Sequence, residues 1–563
     1  MKNTILFWLL VICVTAAPGY AQRGGRGANP GQPSNREDGL DPSPVNPATD
    51  PNVGMFINDW RNARPRTMYG KLVMHDILTS LEGPDPQHPT RKGAVLTAIT
   101  AISYATLDPG ATASGRVQAG TRQSFYATGG NGQITVNGKS SEVRDGTGFM
   151  LTPDFEFKLV SSGKEPLSFY VRTEPIPEGT ASTPEITVTN RFEDVQKRNG
   201  PGAHWTMMGN GGAPGLSLIT MVPRTMPQPH SHAGEECWIM VKGETVLSLG
   251  KTLQKMTAGQ AYKIPPTGLA AHSNLNLGDE PVEMIFLGPA TRQGQAVSML
   301  DYSRLDNNPY NRATEPDVDM FMGNWRDSFP RAVHGNMLFR DMLTALEGAD
   351  SLHPSRRGAV LTNAEAISYA MLEPGNSARS FEGELKGVQE IFVVNSGSGV
   401  ISSGSKKVEL AKDMAFVITP NLDFRLTNTG DKFMTFYVVT EKLPEGVTPP
   451  ADLRVVDNRS KPQVVTSWVN HERPLIVKAD GLSQYSAVSQ VDQNSMTMSR
   501  PASAGKDVEE IWIATEGDTD ILLGKQVRKL SAGTAYRVPS TGITAHANIN
   551  ASGQTTKFLA LVK

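Results

Sequence analysis

After residue 50, apolar positions fall mostly into short alternating runs separated by Gly, Asn, Asp and Pro. Ser124-Phe125-Tyr126-Ala127, Gly132-Gln133-Ile134-Thr135-Val136 and Phe155-Glu156-Phe157-Lys158-Leu159 each read as a half-buried strand between turns. Cys237 to Val241 is a further apolar run, closed by Gly243. Helical spacing is predicted in few places. From Asp50 to Arg61, Met55, Phe56 and Trp60 lie about one turn apart behind an Asp-Pro start, and Leu72 to Leu81 is a second candidate. The pattern predicts an all-β chain with short helical pieces near residues 50–82 and again near 315–347.

The pattern occurs twice. Residues from about 50 to 288 are echoed from about 315 to 563. Met55-Phe56 and Trp60-Arg61 return as Met320-Phe321 and Trp325-Arg326, Gly93 to Thr97 as Gly358 to Thr362, and Ala101 to Ala105 as Ala366 to Ala370. A period this long is far beyond a solenoid repeat and marks a duplicated module. Within each module the strand signals form two blocks, so four domains are expected. The aromatic spacing of Trp60 and Trp325 reads as packing on a barrel wall. His88-Pro89 and His353-Pro354 read as structural loop residues.

Composition narrows the setting. The net charge of −2 over 563 residues gives no support for a nucleic-acid partner. Met1 to Ala21 reads as a secretory leader, with Lys2, an apolar core from Ile5 to Ala17 too short to span a bilayer, and Gly19-Tyr20-Ala21 before the cut. No later stretch predicts a membrane span. Residues 22–49 are Gly/Pro-rich and predict a disordered linker. Removal of the leader leaves Cys237 as the only cysteine, which excludes an internal disulfide. Strand alternation turns Cys237 away from its neighbour Glu236, so it reads as a packed side chain.

The chemistry lies around Pro229-His230-Ser231-His232-Ala233-Gly234-Glu235-Glu236. His230 and His232, two apart on an extended chain, point to one side, and Glu236 follows a bend. Two imidazoles and a carboxylate form a metal-ligand set. A turn-rich segment from Gly259 through Pro265 and Gly268 ends in a third imidazole, His272, with Asn276 behind it.

These two stretches resemble the paired motifs of the cupin superfamily: H-x-H, three residues, Glu, six residues, Gly, and then the Pro-Gly-His segment. The resemblance implies tandem double-stranded β-helix (jelly-roll) barrels. The division is then a first barrel over 50–185 with no metal motif, a second over 186–300 with the metal site, a third over 301–450 with no motif, and a fourth over 451–563 with a degenerate site. It also implies one divalent transition metal (Fe, Mn, Zn, Ni or Cu) held by His230, His232, Glu236 and His272. Glu235, Tyr262 and Asn276 are candidate neighbours of that site. The functions implied are an exported metal-dependent enzyme, of dioxygenase or of isomerase or epimerase type, on a small oxygen-rich or sugar-like substrate, or a non-catalytic small-molecule-binding or structural protein.

The fourth block is an internal control. Ala504 and Lys506 stand where His230 and His232 stand, while Glu510, Gly533, Pro539, Gly542, His546 and Asn550 keep the spacing of Glu236, Gly259, Pro265, Gly268, His272 and Asn276. The fourth barrel is therefore expected to be empty, with Lys506 free to pair with Glu510.

Overall fold

The structure, a computed structural model, describes residues 50–176, 178, 185–193, 195–200, 203–208, 216–227, 235–266, 272–288, 315–449, 451–467, 470–506, 508–542 and 544–563. The expected leader, the 22–49 linker, His230 and His232 lie outside the described residues. What is described is almost entirely antiparallel sheet, arranged as four pairs of a large and a small sheet. The second barrel pairs a seven-stranded sheet, which includes Cys237–Lys242, Gln260–Lys263 and Val282–Leu287, with a three-stranded sheet of Thr252–Thr257, Glu244–Leu249 and His272–Leu275. The fourth repeats this arrangement around Glu510–Glu516, Thr534–Arg537 and Ala545–Asn550. The first and third each pair eight strands with four.

Strands cross between neighbouring barrels. Ile57–Asp59 adds to the edge of the second barrel, with Ile57 opposite Tyr262, and Val188–Asn190 adds to the first, with Val188 opposite Phe149. Met322–Asn324 and Arg454–Asp457 make the same exchange in the second half. Each exchanged strand covers a sheet edge that would otherwise offer unpaired N–H and C=O groups.

The helical expectation holds only as single 3-10 turns, Val53–Phe56, Trp60–Asn62, Val318–Phe321 and Trp325–Asp327. Leu72 to Leu81 is not helical: Leu72–Ser80 is a nine-residue strand. Its register shifts between Asp76 and Leu78, so Leu72, Met74, Ile77 and Leu78 are all buried, and the bulge imitates a helical period. Trp60 stacks on Tyr104 at 4.6 Å, and Trp325 stacks on Tyr369 at 4.6 Å, so both pack on the wall as expected. His88 and His353 each bond a loop aspartate, Asp85 and Asp350, at 2.7 Å.

Alternation along Cys237–Lys242 divides two cores. Cys237 and Ile239 face the first barrel, packing with Phe56, Leu78 and Ile102. Trp238 and Met240 face the second barrel's own interior, with Leu247, Tyr262 and Met284. Burial pushes the Cys237 thiol well up, as befits a packed side chain. The two halves meet through the second and fourth barrels, where Met226, Val246 and Leu275 pack against Leu522, Val527 and Ile549.

Candidate metal centre

Glu236 ends the bend before Cys237–Lys242, and its carbonyl accepts from the Ile264 N–H at 3.0 Å. That register sets its side chain on the barrel's inner face, level with Trp238. The Trp238 indole Nε1–H donates to Glu236 Oε1 at 2.6 Å. His272 opens the strand His272–Leu275, on the opposite sheet, and its Nε2 lies 3.1 Å from the same Oε1. Both side chains are buried, at 5% and 1% exposure, so this pair sits inside the barrel and not on a strand edge. Two of the four expected ligands, 36 residues apart in sequence, are thus brought together. A buried carboxylate oxygen and an imidazole nitrogen held 3.1 Å apart are donor types that suit a divalent ion. Among the described residues no cluster of three or more His, Cys, Asp or Glu side chains suited to a metal is present.

The three candidate neighbours have different roles. The Tyr262 hydroxyl donates to Asn274 Oδ1 at 3.1 Å, and burial with the nearby Glu236 charge holds its pKa well above the usual phenol value. Asn276 does not reach the centre. Its side-chain Nδ2 donates to the Met221, Val222 and Glu280 carbonyls, and its Oδ1 accepts from the Gly278 N–H, so it fixes the turn behind His272.

Glu235 also serves a different purpose. Its carboxylate accepts from the backbone N–H groups of Thr97, Ala98 and Ile99 at 2.5, 3.0 and 2.7 Å, and it pairs with Lys263 at 3.1 Å. Burial would raise its pKa, but Lys263 and these backbone donors more than reverse that and hold it below the usual range. It is a strut between the first and second barrels. Glu509 repeats the contact with Thr362, Asn363 and the Tyr485 hydroxyl.

The fourth barrel keeps most of the centre. His546 Nε2 lies 2.9 Å from Glu510 Oε1, and Trp512 Nε1–H donates to the same oxygen at 2.8 Å. Glu510 is thus paired with His546 and not with Lys506, which is exposed and lies along Gly542. The reason is position: Lys506 sits on the rim, whereas His546 already fills the inner face.

The sequence showed no motif in the third barrel, but register finds the equivalent positions. A left-handed glycine closes each strand seven residues after the key position: Gly243 after Glu236, Gly517 after Glu510, Gly397 after Glu390 and Gly130 after Gln123. Glu390 pairs with Ile418 and Gln123 with Leu151, as Glu236 lies across from Ile264. Glu384 and Lys386 then occupy the positions of His230 and His232. Asn428 makes the same turn bonds as Asn276, which places Phe424 at the position of His272. The Glu-to-Gly spacing was the signal that could have revealed them.

Comparison with known proteins gives one family match, in the second barrel. Residues 217–288 match the family model described as Cupin domain. No curated protein matches the chain. Among solved structures, a variant of oxalate decarboxylase from Bacillus subtilis is 12% identical, with a TM-score of 0.34, over 45% of this chain and 82% of that one. A putative glyoxylate induced protein from Pseudomonas aeruginosa is 13% identical, with a TM-score of 0.35, over 46% of this chain and 94% of that one. Another oxalate decarboxylase structure from Bacillus subtilis, described by its Mn(II) centres, is 13% identical, with a TM-score of 0.35, over 46% and 83%. The match to the cupin domain thus falls in the second barrel, on the segment that contains Glu236 and His272.

Proposed function

We propose that the second barrel holds one divalent metal ion through Glu236, His272, His230 and His232, and that the protein is a metal-dependent enzyme for a small oxygen-rich substrate. The observation that carries this reading is the buried meeting of Glu236 and His272 at 3.1 Å, directly downstream of the H-x-H sequence. Three imidazoles and one carboxylate suit Fe, Mn, Zn, Ni or Cu. Such an ion, when bound, supplies Lewis-acid polarisation of a carbonyl or enol, or redox activation of dioxygen. The chain's own part is to orient and to exclude water. The Trp238 N–H pins Glu236 Oε1 beside the His272 ring and so fixes the carboxylate's orientation. The Tyr262 hydroxyl stays protonated at neutral pH, so it serves as a donor and not as a general base. The apolar wall of Met221, Met240, Leu247 and Met284 limits the room to a small molecule.

The same reading makes the substrate a small molecule, treats residues 1–21 as an export leader that places the protein outside the cytoplasm, and keeps the barrel limits set out from the sequence. Among the described residues no helix is long and apolar enough to cross a membrane. A second reading, capture of a small molecule without turnover, draws on the other three barrels, whose equivalent positions lack the complete ligand set. Elemental analysis of the purified chain, combined with a dioxygen-uptake screen over small hydroxy and keto acids and sugars, tests both. One bound transition metal with turnover supports the enzyme, one metal with binding alone supports capture, and no metal overturns the proposal.

A further inference from the structure

The third barrel is not simply a barrel with nothing in it. His334 lies in the hairpin between Pro330–Val333 and Met337–Ala345, with φ +52°, followed by Gly335 at φ +81°. This left-handed pair turns the imidazole inward, and the side chain is only 1% exposed. Both ring nitrogens meet carboxylates. Nδ1 lies 2.9 Å from Glu384 Oε2, and Nε2 lies 2.7 Å from Glu390 Oε2. The His334 backbone N–H also donates to Glu384 Oε1 at 2.8 Å. Glu390 holds the register position of Glu236, and Glu384 stands six residues before it in sequence, as His230 stands six before Glu236. Phe424, at the position of His272, packs edge-on against the imidazole at 5.2 Å, and Phe339 and Phe392 flank it. The ring therefore lies between the third barrel's counterparts of Glu236 and His272, which meet in the second barrel.

A neutral imidazole offers one N–H and one lone pair, so it can satisfy only one carboxylate as donor. A protonated ring satisfies both. We propose that His334 is the resident cation of the third barrel: its protonated imidazole fills the site lined by Glu384 and Glu390, closes that barrel to metal and substrate, and acts as a pH-dependent strut. The equivalence of Glu390 rests on strand register and that of Glu384 on sequence spacing, and both stand whether or not the second barrel carries a metal.

The other half gives a natural control. At the same hairpin position Tyr69 has φ +50° and is followed by Gly70 at φ +85°. Its hydroxyl donates to Gln123 Oε1 at 2.7 Å and its ring meets Phe157 edge-on at 4.9 Å. Val117 stands where Glu384 stands. The same plug is thus built twice, once from a neutral Tyr-Gln pair and once from an imidazole between two glutamates. A change of Tyr to His at this point is matched by changes of Gln to Glu and Val to Glu, which together supply the charge an imidazolium needs.

The charged groups facing the ring are Glu384 and Glu390; Phe339, Phe392 and Phe424 surround it, and Arg379, whose backbone N–H donates to the His334 carbonyl, lays its guanidinium on Phe381. Burial would lower the His334 pKa, but Glu390 and Glu384 outweigh it and the net shift is upward. A histidine raised in the folded state adds stability that is full below its unfolded pKa, roughly 6.5, and is lost as pH rises through the folded value.

The test uses the full chain with ¹⁵N-labelled histidine, the His334 signals being assigned by their loss in His334→Gln. The expected result is a His334 ring with both nitrogens protonated at pH 7, which loses its proton only as the pH is raised above the ordinary histidine range. A neutral His334 ring at pH 7 overturns the proposal. A second arm transplants the other half's solution as His334→Tyr, Glu384→Val and Glu390→Gln together. Wild type should lose about 3 °C of melting temperature between pH 6.5 and 9 relative to this variant, a shift on the scale of one lost ion-pair contribution; equal slopes overturn the strut. A third arm dialyses His230→Ala/His232→Ala protein against Mn²⁺ and then Zn²⁺. No tight equivalent should remain, and a tight equivalent abolished by Glu390→Gln would show that the third barrel binds metal after all.

Discussion

The second and fourth barrels share nearly every element of the centre and differ at two side chains. Each joins a glutamate and a histidine, Glu236 with His272 and Glu510 with His546, at 3.1 and 2.9 Å. Each pins the glutamate with a tryptophan N–H, sets a tyrosine hydroxyl on an asparagine oxygen, at 3.1 and 3.0 Å, and fixes the turn behind the histidine with another asparagine. The difference is His230 and His232 against Ala504 and Lys506. The glutamate–histidine pair is therefore a property of the barrel frame, kept even where the H-x-H imidazoles are absent. On the proposed function, the two extra imidazoles are what would turn this buried glutamate–histidine contact into a metal centre. The largest expected effect follows directly. His230→Ala or His232→Ala should strip the metal from the purified protein, while Glu510→Ala and His546→Ala should leave its content unchanged, as measured by elemental analysis. Metal retained in the His232 variant would place the site elsewhere.

The converse substitution sharpens the comparison. Ala504→His with Lys506→His restores the second barrel's ligand set on the fourth barrel's frame. Ala504 is 2% exposed and belongs to the packed core, so the larger ring must displace neighbours, and overpacking of this kind costs about 1–3 kcal/mol. Glu510 and His546 are already in place, so the variant should rise from one to two metal equivalents, with the second weaker than the first. A chain that folds but stays at one equivalent would mean that the frame is not sufficient.

The sequence carried the duplication, the sheet-rich class and the two motifs, because spacing between ligands and turn glycines survives translation into register. It misread Leu72 to Leu81, where the strand Leu72–Ser80 runs, because a bulge shifts alternation by one residue and so imitates a helical period. It offered Glu235 as a neighbour of the site because adjacency in sequence does not reveal that successive strand residues face different barrels. Glu236 looks into the second barrel, and Glu235 reaches the Thr97–Ile99 backbone of the first. His334 was invisible for a different cause. It comes from a hairpin 56 residues before Glu390, and only folding brings the two side chains to 2.7 Å.

A smaller effect is expected from the residue that orients the ligand. Trp238→Phe keeps an aromatic ring against Phe286, 5.1 Å away, but removes the N–H donated to Glu236. Loss of an orienting hydrogen bond of this kind typically weakens metal affinity about 10-fold, which a competitive chelator titration would read. Trp512→Phe should change metal content not at all. Affinity in both wild type and Trp238→Phe should fall as pH drops through the histidine range, because protons compete for the imidazole nitrogens. A metal that stays equally tight down to pH 5 would argue against imidazole ligands.

The smallest effect concerns the face where the two barrels meet. Val246, opposite Leu275, and Asp520, opposite Ile549, hold equivalent register positions, so the near-symmetric contact carries a half-buried carboxylate where the other side has a valine. Burial pushes the Asp520 pKa up to about 6 from 3.8, although Arg224, at 3.3 Å from the other half, pulls it down. An acid raised in the folded state contributes stability that is full below its unfolded pKa and is lost as pH rises through the folded value. The contact between halves should therefore be firmest near pH 4 and loosen through pH 6. Asp520→Asn keeps the shape and removes the titration. Its melting temperature should gain on wild type between pH 4 and pH 7, by about 2–4 °C, the scale of a kcal/mol in units of this size. Arg224 retains Asp279 at 3.0 Å, so the variant does not leave a guanidinium without a carboxylate. Parallel melting curves across that window would show that water reaches Asp520 freely and that the asymmetry of this face has no electrostatic consequence.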